Sequence, residues 1–302
     1  MKRILAMFFS AVLILGALAA CAAPAKDSAS SSTAAGASAA KGSGITGSIT
    51  ASGSSALLPL AQDAAKKFKE KNPDVSLTLN AGGSGTGLKQ VADGTVDIGN
   101  SDVAAEDKLD KTTAAKLVDH KVCTVTMAAI VNNDLAAKVS SLTKQQLIDI
   151  FSGKTTNWKD VGGPDEKVLL VTRPDSSGTR ALFTKYALDG TAENSSASYL
   201  ETDNSGELLE TVKTNKGAIG YLALSYLMNN TDVKAISIDG VAPTLENTYS
   251  GKYPVWGYEH MYTNGEPNET VAAFINYITS DEYGALMEAE GYGVTAKMKV
   301  DR

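Results

Sequence analysis

At 302 residues, with 43% hydrophobic and 21% charged residues, the chain is long enough for two domains with cores of their own, and its composition excludes global disorder and a multi-span membrane protein. The net charge of −6 falls by two to −8 if the segment holding Lys2 and Arg3 is removed, and no Lys/Arg cluster is interleaved with aromatics. Nucleic acid is thereby excluded as a partner, since phosphate-backbone binders need a basic face. An acidic chain that binds an anion must do so through local dipoles rather than its overall field.

In chain order, Lys2-Arg3, an apolar run from Ile4 to Ala20 and small residues before Cys21 read as an export signal; the run is at the short limit for a spanning anchor. Leu18-Ala19-Ala20-Cys21 resembles the lipobox of bacterial lipoproteins. That resemblance implies a signal peptide over residues 1–20, cleavage before Cys21 and lipidation of that Cys, which anchors the protein to the cell membrane on its extracytoplasmic face. Residues 21–46 hold the Cys and an Ala/Ser/Gly-rich tether without periodicity. The other cysteine, Cys123, has no disulfide partner and reads as a buried, inert thiol.

The folded part opens with a short strand near Ser48–Ala51, then Ser52-Gly53-Ser54-Ser55 and a helix from about Ala56 to Lys71, with Ser54 or Ser55 as N-cap and Asn72-Pro73 as the stop. Val75, Leu77 and Leu79 alternate as a half-buried strand. The run Ala81-Gly82-Gly83-Ser84-Gly85-Thr86-Gly87 leads into a short helix over Leu88 to Ala92, and the strand Val96–Gly99 ends at Asn100-Ser101-Asp102. The glycine run lacks the Lys-Ser/Thr ending of a P-loop and the G-x-G-x-x-G spacing; it reads as a turn or as a nest of backbone N–H groups. Strand, loop, helix, strand predicts a largely parallel sheet.

A helical stretch is expected near Ala114 to His120, a long strand over Val122 to Asn132, and a helix from Thr143 to Phe151. Val168 to Val171 reads as a strand, followed by the loop Thr172-Arg173-Pro174-Asp175-Ser176-Ser177-Gly178-Thr179 and a helix through Tyr186. Helix 206–214, the turn at Lys216-Gly217, the extended Tyr253–Trp256 and a helix from Glu269 to Glu290, with Leu286 on its inner face, complete the expectation.

Ligands of open parallel sheets bind outside the carboxyl ends of the strands. Four loops meet that description: Gly53 to Leu57, Gly82 to Gly87, Asn100 to Asp102, and Arg173 to Thr179. In the last, Ser177 and Thr179 flank a glycine at a helix N-terminus, where unpaired N–H groups and the helix dipole favour an anion. Arg173 adds a fork of donors. The plainer reading is a capped helix with Arg173 in a surface ion pair with Asp175. Arg180, a cation in the first helical turn, is expected to point away or to pair with a carboxylate.

The order and spacing of Ala51-Ser52-Gly53-Ser54-Ser55, Gly82 to Gly87, Ile98-Gly99-Asn100-Ser101-Asp102, Leu142 to Trp158, Arg173 with Ser177-Gly178-Thr179, and Gly217-Ala218-Ile219-Gly220-Tyr221 resemble the phosphate-binding proteins of bacterial high-affinity phosphate ABC importers. The resemblance implies an α/β, two-domain periplasmic-binding-protein fold of type II, each domain a mainly parallel sheet flanked by helices, with the ligand in the interdomain cleft. It divides the chain into domain I over residues 47–126 and 254–302 and domain II over 127–253, with a hinge near Thr124–Ala129 and Tyr253–Gly257. It places inorganic phosphate on Ser54, Ser55, the backbone of Ala56, Ser84, Asp102, Arg173, Ser177, Gly178 and Thr179, with no cofactor, no metal and no catalysis. It further implies a monomer that delivers phosphate to ABC permease subunits. Relatives often carry a further Ser or Thr where Ala56 and Leu57 stand, so only the N–H serves there.

Asp102 carries the sharpest chemistry: a carboxylate facing an anion is repulsive unless the anion donates a proton, which hydrogen phosphate does and sulfate does not. Another tetrahedral oxyanion (sulfate, molybdate or tungstate) is the runner-up. A surface adhesion or sensing lipoprotein and a phosphate-ester hydrolase are the readings from other classes. The hydrolase needs a base or metal ligands, yet His120 and His260 lie in unrelated contexts, His120 being expected to cap a helix C-terminus.

Overall fold

The computed structural model describes residues 44–302. The expected signal peptide, Cys21 and the expected tether as far as residue 43 lie outside the described residues. Among those described, no helix is long and apolar enough to cross a membrane.

The first part runs β1 (Gly47–Gly53), α1 (Leu58–Lys71), β2 (Val75–Ala81), α2 (Ser84–Ala92) and β3 (Ile98–Ser101). β1 is flanked by β2 and β3, both parallel to it, and Gly53 is in register with Ala81 on one side and Asn100 on the other. The three strands therefore end level, and their loops emerge at one edge. Gly53 is required there: its φ is +129° and a Cβ would sit 2.2 Å from the carbonyl oxygen of Asn100.

After a one-turn helix, α3 (Lys111–Ala114), β4 spans Leu117–Asn132. The helix expected near Ala114–His120 is thus mostly strand, because Leu117 to Thr126 pair antiparallel with β11 (Trp256–Asn264) and that long-range ladder overrides local preference. His120 caps no helix; its Nε2 lies 3.1 Å from Thr263 Oγ1. From Met127 onward β4 changes partners, pairing with β8 (Ala218–Ala223) and then β9 (Val233–Ala235).

The rest of the second half is α4 (Asn133–Ala136), β5 (Ser141–Leu142), α5 (Lys144–Phe151), β6 (Leu169–Thr172), α6 (Gly178–Tyr186), β7 (Leu200–Glu201), α7 (Ser205–Thr214), β10 (Ser237–Ile238) and α8 (Leu245–Tyr249). Thr143 and Gln146 form a reciprocal capping box at α5. β6 lies between β7 and β8, parallel to both, so the sheet reads β2-β1-β3-β11-β4-β8-β6-β7 with β9 beside β4. Parallel strands occupy both flanks and antiparallel β4 and β11 join them.

The helix expected over Glu269–Glu290 is two, α9 (Glu269–Ile278) and α10 (Asp281–Met287), because Ser280 Oγ accepts the N–H of Tyr283 and starts a new turn. The break rotates Leu286 out, leaving it 38% exposed. Both helices pack on α1, through an edge-on Phe68–Phe274 contact and the Tyr283 hydroxyl, which donates to Leu60 O at 3.0 Å. The chain end thereby returns to the first half.

Candidate functional site

Four strand ends meet as expected, and a fifth joins them. At the end of β1, Ser54 Oγ accepts the N–H groups of Ala56 (3.0 Å) and Leu57 (3.1 Å), opening the turn that leads into α1. The Ala56 amide assigned to the anion is thus held by Ser54. Ser55 Oγ reaches the other half of the molecule, 2.9 Å from both Asp203 O and Ser205 Oγ. Ser84 is the first residue of α2, and its Oγ accepts the N–H of Asp102 at 3.0 Å.

From the second half, Ser177 caps α6, its Oγ accepting the Arg180 N–H at 3.3 Å. Gly178 and Thr179 then occupy the first two helical positions, whose N–H groups have no acceptor within a helix. Gly178 presses on the opposite loops: a Cβ there would lie 2.2 Å from Ser84 Oγ and 2.9 Å from Asp102 Cβ. Thr179 Oγ1 donates to Asp102 Oδ2 at 2.7 Å, while Asp102 Oδ1 has no partner. The nine residues assigned to the site therefore lie on loops that touch one another, and each of their named side chains is buried.

Arg173 is wholly buried, yet its recorded hydrogen-bond acceptors are all neutral: Ser205 Oγ at 2.9 Å, and Tyr221 O and Asp203 O at 3.4 Å. The surface pair with Asp175 belongs instead to Arg180, 3.0 Å from the Asp175 carboxylate and 3.8 Å from that of Glu193. Burial raises the Glu193 carboxyl to about 7, opposed by the Tyr221 hydroxyl and Arg180.

Sequence reasoning missed three contributors. Ser205 opens α7 after Asn204 caps it, and touches both Ser55 and Arg173. Its loop obeys the same strand-loop-helix logic, but β7 is only two residues long and gave no periodic signal. Lys108 Nζ crosses from the first half to donate to Asp175 O (2.6 Å) and Ser177 O (3.2 Å), and burial lowers its pKa. Glu259, on β11, is buried beside Asp102. Cys123 is buried and free, with burial pushing its thiol pKa up.

A buried guanidinium with no carboxylate among the described residues in ion-pair contact, set among hydroxyls and the N-termini of α2, α6 and α7, is suited to a small multivalent oxyanion. Among the described residues no group of three or more His, Cys, Asp and Glu could hold a metal.

Comparison with known proteins agrees with this chemistry. The PBP superfamily domain matches residues 28–282. The phosphate-binding protein PstS of Bacillus subtilis is 49% identical over 257 residues, which cover 85% of this chain and 83% of the relative. Among solved structures, a phosphate ABC transporter substrate-binding protein from Clostridium perfringens with bound phosphate superposes with a TM-score of 0.72 at 30% identity, covering 84% of this chain and all of that one. An ABC-type phosphate transport receptor from Vibrio cholerae gives 0.63 at 28%, covering 81% and 99%. The chain belongs to the PBP superfamily and, within it, to the family of PstS phosphate-binding proteins.

Proposed function

We propose that this chain captures inorganic phosphate outside the cytoplasm and delivers it to the permease subunits of an ABC importer. The observation that carries the reading is Arg173, fully buried and hydrogen-bonded only to neutral acceptors. Burying a cation unpaired costs several kcal/mol, which a bound dianion offsets. Ser55, Ser84, Ser177 and Thr179 supply hydroxyl donors, and Gly178 and Thr179 supply helix-terminal N–H groups. Ser54 serves indirectly by ordering the Ala56 turn, and the Ala56 N–H reaches the anion only by sharing with Ser54 Oγ.

Asp102 selects the ligand. It is 2% exposed with one unpartnered oxygen, an acceptor that welcomes the P–OH of hydrogen phosphate and opposes sulfate. The same asymmetry disfavours fully deprotonated oxyanions such as molybdate and tungstate.

The two-domain division is part of this reading. β4 exchanges β11 for β8 between Thr126 and Met127, and Tyr253–Val255 leads back into β11; these two crossings support a hinge there, with domain II over residues 127–253. Contacts such as Ser55–Ser205, Thr179–Asp102 and Lys108–Ser177 describe the closed arrangement. The protein acts as a monomer, tethered by a lipid on Cys21, and is a carrier without catalytic function.

Calorimetric titration of anion-stripped protein with phosphate, alone and against excess sulfate, tests the reading. Tight phosphate binding that ignores sulfate is expected. Asp102→Asn is expected to keep phosphate binding at reduced affinity and to lose rejection of sulfate by roughly 10²-fold or more. A variant still indifferent to sulfate removes Asp102 as selector, and absence of phosphate binding by the folded wild type overturns the function.

A further inference from the structure

Behind Asp102 lies a second carboxyl that the capture of phosphate does not directly use. Glu259 sits on β11 in register with Cys123 of β4, at the point where the ladder slips between Glu259 and His260. Irregularities of this kind re-aim side chains beside functional sites. The slip separates two neighbours: His260 turns to Asp119, with Nδ1 2.7 Å from its carboxylate, while Glu259 turns into the interior. Glu259 is 0% exposed, and neither of its carboxyl oxygens has a hydrogen-bond partner. Asp102 Oδ1 is likewise buried and unpartnered. β11 pairs antiparallel with β3, His260 opposite Ser101, so one step further along each chain Glu259 comes opposite Asp102, whose charge acts on it.

The other titratable groups facing Glu259 are the Cys123 thiol on β4, the Tyr226 hydroxyl after β8 and the Tyr292 hydroxyl after α10. None of these is a cation. On the Asp102 side Lys108 is close enough to feel its charge, but its ammonium is committed to the carbonyls of Asp175 and Ser177. Two ionised carboxylates in contact in a dry interior repel, and acceptor against acceptor makes no hydrogen bond. One proton removes both difficulties and pairs one oxygen of Glu259 with the orphaned oxygen of Asp102.

We propose that Glu259 is a positioning residue held as a neutral carboxylic acid, donating its proton to the Asp102 carboxylate so that the pair presents a single negative charge to the bound anion. The inference rests on the phosphate reading of the same site and deepens it. Glu259 does not touch the ligand. Its O–H fixes the plane of the Asp102 carboxylate, leaving acceptor capacity for Thr179 and for the P–OH of hydrogen phosphate. It also spares a dianion a second facing charge.

Burial, reinforced by Asp102, pushes the Glu259 carboxyl well above the usual range. A bound dianion raises it further. Between the anion-free and anion-bound values, binding therefore takes up a proton, and phosphate affinity falls as pH rises through that window.

The test uses the full-length protein. In the anion-free state, more than one unit above pH 7, Glu193, which titrates at about 7, is ionised. There the infrared difference between wild type and Glu259→Gln should show the carbonyl band of a neutral carboxylic acid. Phosphate titrations of both proteins from about pH 6 to pH 9 follow, and their ratio cancels the anion's own titration. Glu259→Gln keeps the shape and supplies a permanent N–H donor, so it should bind within about threefold of wild type near neutrality and lose whatever alkaline weakening ionisation of Glu259 causes. Glu259→Leu, with no donor, should bind about tenfold or more weaker throughout.

If Glu259→Gln fails to fold, wild-type calorimetry in buffers of different ionisation enthalpy decides. Measured at a pH high enough to ionise Glu259 in the anion-free protein, where its infrared band fades, proton uptake on phosphate binding beyond that owed to phosphate speciation supports the proposal, and none overturns it. Absence of the acid band, or an alkaline weakening that Glu259→Gln shares in full, also overturns it. A wild type that shows the band but binds no phosphate overturns the phosphate reading while the proton assignment stands.

Discussion

Arg173 and Arg180 stand seven residues apart on either side of the α6 N-terminus, and their surroundings are opposite. Arg173 is fully buried and meets only two carbonyls and a hydroxyl. Arg180 keeps partial exposure and is answered by Asp175, by Glu193 and by the carbonyl of Arg173, to which it donates at 2.7 Å. A cation in a first helical turn opposes the helix dipole, so Arg180 needs those carboxylates. At Arg173 the dipole of α6 adds to the positive field, and among the described residues no carboxylate lies within ion-pair distance; the buried Glu193 feels its charge only from further off. The difference teaches that a binding cation is recognised by the counter-charge the fold withholds, more than by residue type or by the loop that carries it.

The largest expected effect breaks the comparison at Arg173. Arg173→Met removes several charge-assisted hydrogen bonds, each worth roughly 1.5–3 kcal/mol, and phosphate affinity should fall by about 10²-fold to 10³-fold in calorimetric titration. The anion-free variant should melt no lower than wild type, since the lost charge had no ionic partner. Phosphate at 100 times its Kd should stabilise the wild type by about 2.7 kcal/mol and the variant hardly at all. A variant that melts much lower when anion-free would mean that Arg173 is structural.

How much of this was legible beforehand follows the range of the interactions. β1, β2 and the Arg173 loop announce themselves through periodicity, caps and glycines within a few residues, and the structure puts them where those signals point. α1 was expected from about Ala56 with Ser54 or Ser55 as N-cap, but it starts at Leu58 after Leu57, because Ser54 Oγ is used to close the preceding turn on Ala56 and Leu57. The insertion of β11 between β3 and β4 pairs residues more than a hundred positions apart, and it turned an expected helix at Ala114–His120 into strand. Glu259 was illegible for the same reason. Nothing local in Tyr258-Glu259-His260 marks a strand, and only coverage of both faces of β11 makes Glu259 interior. Ser205 was hidden by the brevity of β7, and the break at Ser280 by an apolar pattern continuous enough to suggest one helix.

The next effect sharpens the Arg180 side through stability. Glu193 titrates at about 7 in the fold against 4.5 for the free group, raised first by burial. Because the folded state holds the proton more tightly than the unfolded, stability is greatest below about 4.5 and falls as pH rises towards 7. At about 1.4 kcal/mol per unit the fall amounts to roughly 3 kcal/mol. Glu193→Gln, which cannot ionise, should flatten this segment of the pH–stability curve measured by chemical denaturation. An unchanged slope would mean that Arg180 already compensates the Glu193 charge in full.

The smallest effect is expected at Arg180. Its nearest ionic partner, Asp175, has a side chain 97% exposed, so that pair contributes little, about 0–1 kcal/mol. Arg180→Met should therefore leave phosphate affinity within about threefold of wild type, because its charge is answered locally and the anion meets little of its field. It should, however, move the Glu193 titration upward, since Arg180 is among the groups that hold it down. A loss of phosphate affinity as large as that of Arg173→Met would collapse the distinction between the two arginines. The field of the whole α6 N-terminus, and not the uncompensated guanidinium alone, would then be what holds the anion.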